Sequence, residues 1–269
     1  MRSVLGIDAA WTEREPSGVA LISDDGSGWR LVDVTSSYDA FTRIDQFQKI
    51  ARHRGSIPDA SAIVQTATSK IGTPINIIAI DMPLAMSPIV GRRASDNEVS
   101  RIYGARHAST HTPSITRPGR LSDDLRIGFE TIGYPLAVSE FEGQALVEVY
   151  PHPALIELAA ANRRLPYKLS KIGKYWPGAV PGARRENLIK VWAEIIALLD
   201  ARVQGAAKAL PLPVLAARGF ELKAFEDALD AVVCAWVGAC VMDRKARAFG
   251  DDESAIWIPD LSSHPGSLT

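Results

Sequence analysis

Residues 3–11, SVLGIDAAW, and residues 75–83, INIIAIDMP, decide the fold. Each is an apolar run of strand length, rich in Ile, Val and Leu, that breaks on an aspartate: Asp8 in the first and Asp81 in the second. Such runs read as central strands buried on both faces, so each delivers one carboxylate to the edge of a sheet. A third acidic site lies near the far end, in residues 226–242, EDALDAVVCAWVGACVM. There Asp227 and Asp230 stand three residues apart on one face of a predicted helix that is otherwise almost wholly apolar. Carboxylates so placed are costly unless something positive meets them, and a divalent metal ion is one candidate.

The flanking segments extend the pattern. GVALIS (18–23) and WRLVDV (29–34) enclose the turn-rich DDGSG, which predicts an antiparallel hairpin beside the first strand. Residues 38–53 and 58–71 carry helical spacing, with Asp59 and Ser61 as early capping groups, before the chain returns to the strand that ends at Asp81. ALVEVYPHP (145–153) reads as a fifth strand leading into a helix with Pro153 in its first turn. The predicted class is α/β: a mixed five-stranded sheet, three antiparallel strands then parallel ones, flanked by helices. One domain over residues 1–250 is expected, with helical insertions near 92–134 and 163–221. Residues 251–269 are expected to form a frayed surface tail.

Composition narrows the function classes. The 269 residues carry a formal net charge of −1, so the field of the whole molecule gives no support for avid, nonspecific nucleic-acid binding. The two cysteines, Cys234 and Cys240, lie inside the apolar helical run, which suits reduced, buried thiols and a cytoplasmic protein. No apolar stretch of about 18 residues is present to span a bilayer, so no membrane partner is expected. Nothing in the pattern addresses the oligomeric state.

Acids on the first and fourth strands and on a late helix, behind three hairpin-connected strands, make a layout similar to that of the RNase H-like fold. In that arrangement Asp8 and Asp81 sit on neighbouring strands and the late helix brings Asp230 across them. An all-carboxylate site suits a hard, oxygen-preferring ion, Mg²⁺ or Mn²⁺. Two such ions would activate a water and stabilise the leaving oxygen of a phosphodiester. Asp8 would bridge the ions, Asp81 and Asp230 would hold one side each, and Asp227 is a reserve ligand one turn back. The competing role is simple turn or helix capping by Asp8, Asp81 or Asp227. Asp230 resists that reading, because no other charged residue lies between Ala228 and Met242. Glu148, at the end of the fifth strand, either reaches the same edge or binds a backbone amide or an arginine. His152, in the following proline turn, is either structural or a proton shuttle.

Residues 91–120 hold six arginines, two histidines and no lysine, against Asp96 and Glu98 alone. Arg93, Asn97, Arg101 and Arg106 approximate helical spacing, so Arg92, Arg93, Arg101, Arg106 and His107 are the candidate phosphate-binding groups. The alternative is that some of these arginines neutralise the carboxylates internally. Tyr103, Trp11, Tyr175 and Trp176 are candidates for stacking a base or for simple core packing.

The words GIDAAW, IDMPLAMSP, GRRASDNEVSRIYGARHASTHTPS, EVYPHP, KIGKYWPG and DALDAVVCAW together resemble a family called domain of unknown function 429 (DUF429), described as predicted RNase H-like nucleases. The resemblance spans nearly the whole chain and matches Asp8, Asp81 and Asp230. Within EVYPHP the chain departs from the family pattern: Tyr150 stands where a histidine is usual, and His152 where a second acid is usual. What the resemblance implies is a metal-dependent phosphodiester hydrolase acting on nucleic acid or a nucleotide. Two alternatives remain: a noncatalytic scaffold whose acids are held by internal cations, and a phosphoryl-transfer enzyme, although no Gly-rich phosphate loop is present.

Overall fold

The computed structural model describes residues 1–43 and 52–261. Its centre is a seven-stranded mixed sheet in the order β3-β2-β1-β4-β5-β7-β6. β1 (Arg2–Asp8), β2 (Gly18–Asp24) and β3 (Arg30–Thr35) form the antiparallel opening. Helices α1 (Tyr38–Thr42) and α2 (Ala60–Ile71) lead to β4 (Ile77–Ile80), which runs parallel to β1. The helical spacing expected over 38–53 is thus seen as far as Thr42, and residues 44–51 lie outside the described residues. The side chain of Asp59 caps α2, accepting from the Ala62 amide at 2.9 Å.

The first insertion holds α3 (Ala94–Tyr103) and α4 (Arg120–Thr131), after which β5 (Ala145–Val149) joins β4 in parallel. α5 (Pro151–Leu158) starts directly after it, with Pro151 at the first helical position, where a missing N–H leaves nothing unpaired, and Pro153 in the first turn as expected. The second insertion holds α6 (Ile172–Tyr175), α7 (Pro181–Asp200) and α8 (Ala206–Ala209). α9 (Gly219–Met242) follows, and the chain ends in a hairpin of β6 (Ala246–Gly250) and β7 (Ala255–Pro259).

That hairpin corrects the expected strand count from five to seven. β7 pairs in parallel with β5, and all five of its residues are buried, so this part of the expected tail is sheet. Residues 262–269, the rest of that tail, lie outside the described residues.

The sheet separates two apolar layers. Val4, Ala79, Val147 and Val149 pack with α5, α7 and α9 on one face, and Leu5, Ile7, Ile78 and Ile80 with α1, α2 and α4 on the other. α9 is buried on every residue from Glu226 to Val241, which explains its all-round apolar sequence. Among the described residues, no helix is long and apolar enough to cross a membrane.

Glycine sets how closely α9 approaches. A Cβ on Gly6 would fall on the Ala231 carbonyl oxygen and the Ala235 nitrogen, and one on Gly18 would fall on the Asp227 carbonyl oxygen. The obstacles are backbone atoms, which cannot rotate away. Gly6→Ala is therefore expected to lower stability by about 3 kcal/mol or more, read from urea midpoints. Gly178→Ala, where a Cβ meets open space, should be near neutral; equal effects of the two substitutions would contradict the close seating of the helix.

Candidate functional site

Strand register brings the first two acids together. Ile7 is paired with Ile80, so Asp8 and Asp81 follow on adjacent parallel strands, and the Asp81 amide donates to the Ile7 carbonyl at 2.9 Å. By alternation from Val4 and Ala79, both carboxylates face the side covered by α9. Asp8 lies opposite Gly18, whose bare α-carbon abuts the backbone of Asp227. The close seating of the helix is what places Asp227 and Asp230 over the strand ends.

The four aspartates are not equally partnered. Asp230, with 0% of its surface exposed, accepts from the Tyr167 hydroxyl at 2.9 Å and is paired with the Lys168 ammonium. Asp227 is paired with Lys223 through one oxygen, while its Oδ2 is buried with no hydrogen-bond partner. Glu226 takes the Leu169 amide at 2.5 Å and lies 3.6 Å from both lysines. Among the described residues nothing donates to the carboxylates of Asp8 or Asp81.

Five carboxylates therefore meet two ammonium groups, and the proton affinities of Asp8, Asp81 and Asp227 rise. Burial, then the charge of Asp230, drives the Asp8 pKa well above its usual value, against the pull of Lys168. Burial likewise lifts Asp81 to about 7, opposed by Lys168 and reinforced by Asp230 and Glu148. Asp227 is lifted to about 6 by burial, against Lys223. Burial works against the Lys168 ammonium, but Asp230, Tyr167, Glu226 and Asp8 hold its pKa well above the usual value.

Glu148 comes from elsewhere. It alternates with Val147 and Val149 and so leaves β5 on the opposite face, where Arg93 grips it at 2.5 and 2.8 Å and the Leu84 amide donates at 2.7 Å. Arg93 also bonds Asp96 at 3.0 Å and the Leu84 carbonyl at 2.6 Å. Burial raises the Glu148 pKa to about 7 against the opposing pull of Arg93. The guanidinium expected to grip phosphate is thus the centre of a buried ion triad.

The other predicted phosphate ligands are also accounted for. Arg92 ties Asn97, Thr112, Ser100 and the Asp96 carbonyl together. Arg106 binds Glu157 and the Ala161 carbonyl, both at 2.8 Å. Arg101 is exposed beside Glu98 at 3.9 Å, and His107 is exposed in a left-handed turn with φ 61°. Tyr103 is core, whereas Trp11 lines the cleft. None of the five predicted phosphate groups reaches the four aspartates, and of them only Arg93 touches the cavity.

That cavity, about 280 Å³, runs along the strand ends past Asp81, Glu148, His152, Arg164, Lys168 and Lys171. A second hollow holding Asp8, Glu15 and Arg117 shares Trp11, Asp81 and His111 with it, so the two form one elongated cleft. His152 Nδ1 lies 3.1 Å from the Tyr167 hydroxyl. Since that hydroxyl donates to Asp230, the network assigns the ring proton to Nδ1 and leaves Nε2 as an acceptor. Burial, then Arg164, Lys168 and Lys171, push the His152 pKa well below the usual value, so the ring is neutral.

Tyr167, Lys168, Arg164 and Lys171 were absent from the sequence-based expectation. Their signal was a run from Arg163 to Lys174 with five basic residues and no acid.

Among the described residues, no three histidine, cysteine or acidic side chains converge as a ready metal-binding group. The donor set nonetheless suits a hard divalent ion at Asp8 and Asp81, two oxygen donors without protein partners amid an excess of negative charge. It does not suit one at Asp230, whose two oxygens are held by Tyr167 and Lys168.

The fold and the cleft define an α/β protein with an acidic strand edge roofed by a buried helix. Residues 135–255 match the family described as "Protein of unknown function (DUF429)", a segment that contains the blocks EVYPHP, KIGKYWPG and DALDAVVCAW. The matched segment includes Glu148, Lys168, Asp227 and Asp230 but neither Asp8 nor Asp81. No curated protein and no solved structure matches the chain.

Asp81 binds its proton up to about pH 7 when folded and ionises near 3.8 when unfolded, so the folded state holds more protons across that window. Stability then falls as pH rises through it, and Asp81→Asn should stabilise the protein at pH 8 by roughly 2 kcal/mol, a gain that vanishes near pH 4. Thermal melts at the two pH values check this. Arg93→Ala strands Glu148 and Asp96 and should cost roughly 3–5 kcal/mol in urea unfolding; a fully stable variant would remove the ion triad from the core's support.

Proposed function

We propose that the chain is an RNase H-like, metal-assisted phosphodiester hydrolase acting on nucleic acid or a nucleotide in this cleft. The observation that carries the reading is the pair of unpartnered carboxylates, Asp8 and Asp81, on adjacent strand ends beneath Asp230. Asp8 and Asp81 would hold Mg²⁺ or Mn²⁺, with Asp230 and Asp227 as ligands only where Lys168 and Lys223 release them. When bound, such an ion supplies a polarised phosphoryl oxygen and a water of lowered pKa.

The chain's own groups would do the remaining work. His152 Nε2, neutral and free to accept, would take the proton of the attacking water. The Nδ1–H, which bonds Tyr167 and through it Asp230, would orient the ring and partly offset the burial and the nearby cations that disfavour its imidazolium. Lys168 stays protonated beside the cavity and would face the negative charge gathering on the phosphoryl oxygens.

A second reading has its own support. Lys168 and Lys223 already neutralise Asp230 and Asp227 from within the chain, as a noncatalytic binding scaffold requires.

Labelled single-stranded, duplex, hybrid and junction substrates, with mononucleotides beside them, incubated with Mg²⁺ or Mn²⁺, separate the two. The hydrolase reading expects cleavage of at least one substrate and its loss by at least about a hundredfold in Asp8→Asn. Silence across the panel, with Mn²⁺ binding heats identical in wild type and Asp8→Asn, would leave the scaffold.

A further inference from the structure

Of the arginines predicted to hold phosphate, Arg92, Arg93 and Arg106 are engaged within the fold, yet the cleft has cations of its own. Arg164 and Lys171 line the cavity together with Lys168, on the segment that joins α5 to α6. Among the described residues, neither the Arg164 nor the Lys171 side chain makes a hydrogen bond or an ion pair. Arg164 Nε is buried and unpartnered, a costly state for a guanidinium donor unless something is meant to meet it. Its backbone is fixed, with the amide donating to the Arg106 carbonyl at 2.8 Å.

Among the described residues, Arg164 and Lys171 add like charge beside Lys168 with no acid paired to either. Burial, then Arg164, Lys174 and Lys168, lower the Lys171 pKa. Burial, then Lys171, Arg164 and Arg117, lower that of His111. His111 stands edge-on to Trp11 at 6.4 Å where the two hollows meet, beside Asp81. The cleft thus holds, besides its carboxylates, two cations, Arg164 and Lys171, that no acid of the described residues pairs.

We propose that Arg164, Lys171 and His111 form a phosphate-binding subsite, which holds an anionic phosphate of the substrate apart from the one reacting over Asp8 and Asp81. This deepens the reading of the cleft as a phosphate-ester site and rests on it. A guanidinium with its Nε free and an ammonium in the same cavity match the charge and the donor demand of a phosphate dianion or diester. The subsite narrows the substrate to one carrying a phosphate besides the scissile group, supplied either by the next nucleotide of a strand or by the same small nucleotide. A phosphate held there would also satisfy the buried Arg164 donor and relieve the repulsion between Arg164 and Lys171.

Binding is measured in EDTA, by fluorescence anisotropy, with a labelled single-stranded 12-mer, and adenosine diphosphate as competitor. Wild type should bind the 12-mer, and Arg164→Gln and Lys171→Gln should each weaken it about tenfold. Each variant should also reduce the slope of log affinity against log salt by about 0.7. Displacement by adenosine diphosphate at a concentration below that of inorganic phosphate needed for the same effect assigns the subsite to small nucleotides, and its absence assigns it to strands. Lys171→Gln, at a partly exposed side chain, serves if Arg164→Gln fails to fold. Binding of neither nucleotide by wild type, or variants with wild-type affinity and salt slope, would overturn the subsite. Because binding in EDTA needs no metal, binding here together with silence in the Mg²⁺ and Mn²⁺ cleavage panel leaves the subsite standing while the hydrolase fails. Cleavage whose KM is unmoved in both variants would sink the subsite alone.

Discussion

The backbone-to-backbone contact between α9 and the first two strands is the constraint on which the rest depends. At Gly6 and Gly18 the helix lies against the sheet with no side chain between them, and the carbonyls of Ala231 and Asp227 occupy the space a Cβ would need. Any larger residue would lift the helix and carry Asp227 and Asp230 away from Asp8. The apolar packing of the long helix therefore does two things: it buries a core and it forces acids into proximity that their own repulsion opposes.

The electrostatic design follows from that forced proximity. Five carboxylates share a buried edge with the ammonium groups of Lys168 and Lys223, and the shortfall of positive charge is largest at Asp8 and Asp81. Protonation, a divalent ion or a cationic ligand can each make up the difference, and they differ in pH dependence: protonation relieves the site below about pH 7, whereas a metal competes with the proton and gains above it. Lys168 is the pivot, since it serves Asp230 and Glu226 directly and still lines the cavity where a substrate oxygen would lie.

Those parts of the architecture that rest on strong local periodicity were legible in the sequence. The acid-ended strands of β1 and β4 and the apolar length of α9 announced a sheet with carboxylates along one edge, and Asp59 announced the start of α2. The β6–β7 hairpin was not legible, because five-residue strands such as AIWIP, placed after the last long element, carry the same signal as a stray apolar patch in a tail. The partners of the arginine block were not legible for a different reason. Composition reports how many cations a segment holds and not where the acids that pair with them lie, and Arg93 found Glu148 55 residues away. Lys168 was missed on the same ground, its partner Asp230 standing 62 residues on.

Pairing, then, rather than charge, separates structural cations from those available to a ligand. Arg93 has its guanidinium hydrogen bonds supplied by Glu148, Asp96 and Leu84, so binding a phosphate there would first break a buried triad. Among the described residues, Arg164 and Lys171 have no side-chain hydrogen bond or ion pair to break. A ligand arriving there gains the attraction of two cations whose mutual repulsion the fold already bears, while the carboxylates of the same cleft attract a cation. A phosphate ester carrying a divalent ion is the ligand chemistry that meets both demands at once.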